Sequence, residues 1–240
     1  MRLSVIPCLQ GFTTPVKPLS KAVTKTFKLF YRQIEKYNSK SDFNSTAKTF
    51  KVIQNNEDVL RSIRKINRIN SAKSINTYDF STLYTKIPHQ KLLEVLNELV
   101  DFCFKGGTDE QLSLTKTGLI FDRIAIKDAI KYLMGKCYFT FGEKIFRQII
   151  GIPMGSDPAP FMANLFLYHY ESNWIRNLKK NSIQRARMFR HTFRYIDDLL
   201  TINDNDEFSK SFIDIYPPEL QLNLEHSGNQ VSFLDLQITN

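Results

Sequence analysis

Three aspartates are the residues of this chain best suited to chemistry. Asp79 stands near the end of a short β-rich run, Ile75-Asn-Thr-Tyr-Asp79-Phe80, and Asp197 and Asp198 lie at the tip of a hairpin flanked by Phe193 on one side and Leu200 and Ile202 on the other. Aspartate is disfavoured in strands, and neighbouring carboxylates repel, so such a cluster is costly unless a cation neutralises it. Hard oxygen donors at a few positions, with water and phosphate completing the shell, suit Mg²⁺. Two such ions about 3.5–4 Å apart activate an attacking oxygen and stabilise a leaving one in an in-line phosphoryl displacement. Each aspartate alone reads more readily as a turn residue or helix cap. The set of three shifts the balance toward a metal site.

The elements that must position these residues follow from periodicity. Val23, Phe27, Phe30, Ile34 and Tyr37 recur at helical spacing, which predicts a helix over Ser20–Tyr37 with Ser20 as N-cap. Lys21, Lys25, Lys28, Arg32 and Lys36 then form a basic stripe on its far side. A second helix is predicted from Glu57 to Arg68, with Arg61, Arg64, Lys65 and Arg68 on one face. After the run at 75–80 come a helix from His89 to Phe104, a hairpin over 138–149, and the loop Gly151-Ile-Pro-Met-Gly-Ser156. That loop feeds a helix with Asp157 as N-cap and Pro158 first. The end reads as helix 206–215, strand 220–225, the turn Ser227-Gly-Asn229 and strand 231–238. The expected class is α+β, an antiparallel ferredoxin-like sheet with helices on one face.

Composition narrows the function classes. The chain has 240 residues, 42% apolar, with a net charge of +9. Disorder, collagen and disulfide scaffolds are therefore not expected, and Cys8, Cys103 and Cys137 have neither disulfide-framework nor zinc-knuckle spacing. No stretch reads as a signal peptide or membrane span, so the expectation is a soluble intracellular protein with no membrane partner. Residues 1–76 carry 15 basic against 4 acidic side chains. A second basic block, Arg176 to Arg194, contains Lys179, Lys180, Arg187 and Arg190 and no acidic residue. Two concentrations of positive charge fit a polyanionic partner, with a solvated face as the plainer alternative for either one.

The segments TYDFSTLYTKIP (77–88), QIIGIPMGSDPAPFMANLFL (148–167), RYIDDLL (194–200) and VSFLDLQI (231–238) stand in the order and spacing of reverse-transcriptase palm motifs. Together they resemble Penelope-like retroelements, relatives of the telomerase reverse transcriptases, over residues 70 to 240. The resemblance implies a reverse-transcriptase palm over 75–240 and a basic, mainly helical fingers remnant over 1–74. It also implies an RNA-directed DNA polymerase with two Mg²⁺ ions, Mn²⁺ as a substitute, deoxynucleoside triphosphates and an RNA or DNA template-primer, acting in the nucleus. Asp79, Asp197 and Asp198 become the catalytic metal ligands, with the Phe80 carbonyl as a further one. Tyr84 matches the aromatic that excludes a 2′-hydroxyl by clash. Gln148, Met154 and Gly155 fall at the nucleotide, with Met154 where many reverse transcriptases carry glutamine. Template and primer phosphates would lie on Lys21, Lys25, Lys28, Arg32, Lys36, Arg61, Arg64, Arg68, Lys179, Lys180, Arg187 and Arg190.

The pattern is departed from in places. No thumb or endonuclease segment is expected after Asn240, and Arg2 is read as the last trace of a fingers hairpin. No lysine between Pro217 and Asn240 matches the family's general acid, leaving His226 as a weak substitute. Two rivals follow. One is a non-catalytic nucleic-acid-binding module that keeps the fold as scaffold; the other is an unrelated Mg²⁺-dependent nuclease, which leaves Tyr84 and the GIPMGS loop unexplained.

Overall fold

A computed structural model describes residues 16–43, 51–53, 55–69, 72, 74–104, 111–114, 119–152 and 156–240. In chain order they form α1 (Val16–Phe43), β1 (Lys51–Val52), α2 (Glu57–Ile69), β2 (Ile75–Phe80), α3 (Leu83–Lys86), α4 (His89–Phe104), β3 (Gln111–Leu114), β4 (Leu119–Asp122), α5 (Arg123–Gly135), β5 (Tyr138–Phe141) and β6 (Lys144–Arg147). There follow α6 (Ala159–Asn181), α7 (Ile183–Met188), β7 (Thr192–Tyr195), β8 (Asp198–Ile202), α8 (Glu207–Ile215), β9 (Leu222–Ser227), β10 (Gln230–Phe233) and β11 (Leu236–Thr239). The content is α+β. The chain divides into two compact units, residues 1–40 with 84–166, and residues 41–83 with 167–240. These interleave in sequence, so neither coincides with the segments 1–74 and 75–240.

The second unit is built on a five-stranded sheet of order β1-β7-β8-β2-β9. Its pairs are antiparallel except β1 with β7, which run parallel, so the expected antiparallel sheet is a mixed one. β2 is buried on both sides, with Ile75 and Thr77 facing one way and Tyr78 and Phe80 the other. Such a strand needs cover on both faces. On the first face Ile75, Phe193, Leu200 and Ile202 pack with Val59 and Ile66 of α2 and with Val231, Phe233 and Ile238 of the β10–β11 hairpin. On the second, Tyr78 meets Phe208 at 5.6 Å and Phe80 meets Phe212 at 5.9 Å, both partners on α8. Helices thus lie on both faces, not on one.

The single strand expected over 231–238 is instead the hairpin β10–β11, paired from Gln230↔Thr239 to Phe233↔Leu236. Leu234 turns it with φ +54°, the positive first central residue of a type II′ turn. Apolar residues alternate on each side of the turn, Val231 and Phe233 before it and Leu236 and Ile238 after it, which is why it mimics one strand.

In the first unit, α1 begins a turn before Ser20, because Pro18 falls among the first residues, whose N–H groups have no helical partner anyway. Ser20 is therefore not the N-cap, and its hydroxyl donates to Asp157 at 3.3 Å. Asp157 likewise does not begin α6, which starts at Ala159. The core gathers Phe27 and Phe30 of α1 with Leu92, Leu96 and Val100 of α4 and Ile126 and Ile130 of α5, all buried. Among the described residues no helix is long and apolar enough to cross a membrane.

Candidate functional site

Cross-strand register brings the carboxylates together. Asp79 of β2 lies directly opposite Asp198 of β8, at the end of the row that begins Ile75↔Ile202 and Thr77↔Leu200. Directly opposed residues share a face, so both aspartates cap the apolar row that α2 covers. Asp197 is in the two-residue turn between β7 and β8, closed by the pair Tyr195↔Asp198. The Phe80 N–H donates to the Asp197 carbonyl at 3.2 Å, tying the turn to the strand that carries Asp79. The Thr82 hydroxyl donates to the Glu219 carbonyl at 3.0 Å and accepts the Gln221 N–H at 2.9 Å, anchoring the end of β2 to the approach of β9.

A fourth carboxylate joins them. β9 pairs Tyr78 with Leu224 and Thr77 with His226, which leaves Glu225 as the extra residue of a β-bulge. Its charge acts on both Asp79 and Asp198. Burial lifts the Asp79 carboxyl above its ordinary range, and Asp197 and Glu225 lift it further. Asp198 is pushed up to about 6 by burial, then by Asp197, Glu225 and Asp79. Repulsion of this kind is what a bound cation relieves.

The donor set suits a divalent metal in kind: hard carboxylate oxygens of like charge, half-buried at Asp79, Asp197 and Asp198 and exposed at Glu225. Among the described residues, however, no three Asp, Glu, His or Cys side chains converge as ligands of one ion. The fit rests on donor chemistry.

The turn itself is strained. Ile196 has φ +54°, a region that a β-branched residue rarely enters and that costs about 1–3 kcal/mol. On the opposite face of the sheet, Arg194 is fully buried. Its Nε and Nη2 donate to Glu171 Oε1 and Oε2 at 2.5 and 3.0 Å, and its Nη1 donates to the Ile196 carbonyl at 2.9 Å. The Tyr216 hydroxyl donates to Glu171 Oε1 at 2.7 Å, and its ring meets Phe80 edge-on at 5.0 Å.

In the first unit, Tyr84 is a half-buried residue of α3 whose carbonyl accepts the Ile152 N–H at 2.9 Å. The Gly151 N–H donates to the Ile87 carbonyl at 2.7 Å, and His89 Nε2 bonds the Gly151 carbonyl at 2.8 Å. Gly151 has φ +84°, and a Cβ there would strike the Tyr84 carbonyl oxygen. Glycine is thus required where the 148–152 segment meets the start of α3. Gln148 turns its amide N–H onto the Ile150 carbonyl at 2.9 Å. Met154 and Gly155 lie outside the described residues.

The basic residues divide. Lys21, Lys25, Lys28 and Arg32 are exposed along α1, with Lys28 5.7 Å from the centre of the Phe161 ring; the Lys36 side chain lies outside the described residues. On α2, Arg64 and Arg68 are exposed, whereas Arg61 pairs with Asp58 at 3.1 Å and Glu57 at 3.8 Å. Lys180, Arg187 and Arg190 are exposed and Lys179 is half-buried. Arg185 of the same block bonds Glu207 and Ser211, and Arg194 is the buried fork already described. Glu225, Glu171 and Tyr216 were not expected at the site from the sequence. His226, the expected stand-in for a general acid, sits exposed on β9 opposite Thr77.

No protein-family model matches the sequence, and no curated protein matches it. Solved telomerase structures share the fold. Apo telomerase from Candida Tropicalis matches with a TM-score of 0.59 at 14% identity, covering 92% of this chain and 39% of that one. Telomerase from Candida albicans in complex with the TWJ fragment of telomeric RNA matches at 0.54 and 12% identity, covering 93% and 37%. The C. Tropicalis enzyme truncated from its C-terminal domain matches at 0.54 and 12%, covering 94% and 43%. The chain thus spans about two fifths of the length of these telomerase chains. At such identities the likeness speaks for a reverse-transcriptase-like fold alone.

Proposed function

We propose that this chain is the palm-bearing part of an RNA-directed DNA polymerase of a Penelope-like element, transferring nucleotides from dNTPs to a primer 3′-hydroxyl in the nucleus. The observation that carries this reading is the register that sets Asp79 against Asp198, with Asp197 in the adjoining turn. A scaffold has no use for three carboxylates crowded at the end of an apolar row, where like charges repel. The likeness to the telomerase fold supports the same class at a coarse level.

Asp79, Asp197 and Asp198, with the Phe80 carbonyl, would hold two Mg²⁺ ions, or Mn²⁺ in their place. Bound there, the ions supply activation of the primer hydroxyl and neutralisation of charge on the triphosphate. In the reaction the primer 3′-oxygen bonds to the α-phosphorus as the bond to the β-phosphate breaks, and pyrophosphate leaves. Tyr84 selects the sugar by filling the space of a 2′-hydroxyl, with Gly151 letting the 148–152 backbone close on the Tyr84 carbonyl. Exposed Lys21, Lys25, Lys28, Arg32, Arg64 and Arg68 hold phosphates of template and primer without reading sequence.

Primer extension on RNA and DNA templates, with dNTPs or rNTPs in Mg²⁺ or Mn²⁺, tests the proposal. Extension with dNTPs on RNA is expected, and Tyr84→Ala should raise ribonucleotide incorporation relative to deoxynucleotide about tenfold or more. Unchanged discrimination would return Tyr84 to an ordinary packing role. A non-catalytic nucleic-acid-binding scaffold is the second reading, favoured by the lack of convergence of three ligands among the described residues. Template binding without extension under every metal condition would establish it instead.

A further inference from the structure

We infer that Arg194 is a positioning residue, holding the Ile196–Asp197 turn, and with it the Asp197 carboxylate, in a backbone conformation that the turn's own sequence disfavours. What the positioned carboxylate serves rests on the polymerase reading; the clamp itself rests on geometry.

A two-residue turn whose first central residue has positive φ suits glycine, and here that residue is β-branched Ile196 at +54°. Something outside the turn must hold it. Both central carbonyls are restrained. The Ile196 carbonyl accepts from Arg194 Nη1 at 2.9 Å, and the Asp197 carbonyl accepts from the Phe80 N–H at 3.2 Å. Arg194 cannot swing away, because Glu171 of α6 fixes its other two nitrogens and Tyr216 fixes Glu171. Tyr216 also packs on the Phe80 ring, so one buried network grips the turn and the strand beside it. Arg194 and Glu171 are both essentially inaccessible to solvent, so the fork works in a medium where hydrogen bonds to charged groups are strong and long-lived. Lysine cannot replace it, because a single ammonium lacks the planar fork that reaches Glu171 and the carbonyl together.

The test reads amide hydrogen exchange in the whole chain. The Phe80 N–H reports the turn, and the Asn203 N–H, bonded to the Ser74 carbonyl at the other end of the same sheet, reports the fold. Arg194→Lys should speed exchange at Phe80 tenfold or more and leave Asn203 within twofold. Adding Ile196→Gly, which accepts positive φ without strain, should return Phe80 toward the parental rate. Unchanged exchange at Phe80, equal acceleration at both amides, or no rescue by glycine would each overturn the clamp. Should Arg194→Lys fail to fold, Tyr216→Phe removes one bond to Glu171 and keeps every charge; a twofold to threefold acceleration confined to Phe80 is expected, and none would overturn the proposal. Primer extension on the same variants should show the matching fall in kcat with KM for dNTP unchanged, restored by Ile196→Gly. A parental chain that extends no primer would count against the polymerase reading alone, since exchange at Phe80 still decides the clamp.

Discussion

The two faces of the second unit's sheet treat charge in opposite ways. On one, Glu171 meets a guanidinium fork and a tyrosine hydroxyl, and every charge is closed inside the protein. On the other, burial and the charges of Asp197 and Glu225 raise the proton affinity of Asp79 and Asp198. Arg194 and Asp198 are only four residues apart, so the contrast is not one of region or composition. It comes from strand alternation. The closed cluster contributes rigidity, and the open one leaves a repulsion between carboxylates that the fold does not itself satisfy.

Breaking the closed cluster should have the larger effect on stability. Glu171→Ala leaves the buried Arg194 without its carboxylate, and a loss of about 3–5 kcal/mol is expected in urea or thermal unfolding. A loss below 1 kcal/mol would mean that the network is not closed in solution.

Relaxing the open cluster should do the reverse. Asp198 is raised to about 6 in the folded chain, so the fold binds its proton more readily than the unfolded chain does. Below the unfolded value near 4 this costs nothing; as pH rises toward 6 stability is lost, and the loss persists above it. Asp198→Asn should therefore stabilise the chain at pH 7 by about 1 kcal/mol, allowing for solvent screening of a half-exposed group, and by nothing near pH 3.5. A gain independent of pH would remove repulsion as its cause.

The smallest effect sharpens the contrast between cations paired with carboxylates of the fold and the exposed cations of α1. Lys25, Lys28 and Arg32 are exposed on α1, whereas in the second basic block Arg185 pairs with Glu207 and Arg194 with Glu171. Changing all three to Gln keeps helix propensity. It should flatten the log–log salt dependence of template binding by about 2 to 3, at roughly 0.7–0.9 per contact. An unchanged slope with intact circular dichroism would make the stripe a solvated face.

The aspartates were legible in the sequence because acidic residues at the ends of apolar strands announce their own cost. Glu225 was not, since it enters through a bulge in an edge strand, and a bulge is a property of pairing. Arg194 reads in sequence as one more member of a basic block. Alternation with Phe193 and Tyr195 turns it to the other face, and its partner there, Glu171, lies on a helix 23 residues earlier. Helix α5 went unassigned although Asp122 caps it, the Asp122 carboxylate accepting the Ala125 N–H at 2.6 Å, and Ile126, Ile130 and Leu133 give it a buried face. Cover on both faces of the sheet was written in β2, whose Ile75 and Tyr78 point opposite ways, but only the sheet order shows β2 to be an interior strand.

The most direct measurement is primer extension on an RNA template at fixed Mg²⁺ by the parental chain, Asp79→Asn and Asp197→Asn, with template affinity measured on the same samples. Each amide keeps the size of the side chain and removes a carboxylate charge. The expected result is extension by the parental chain, a loss of a thousandfold or more in both variants and template binding within about twofold of parental. Extension by either variant at the parental rate would contradict a catalytic role for the open carboxylate cluster.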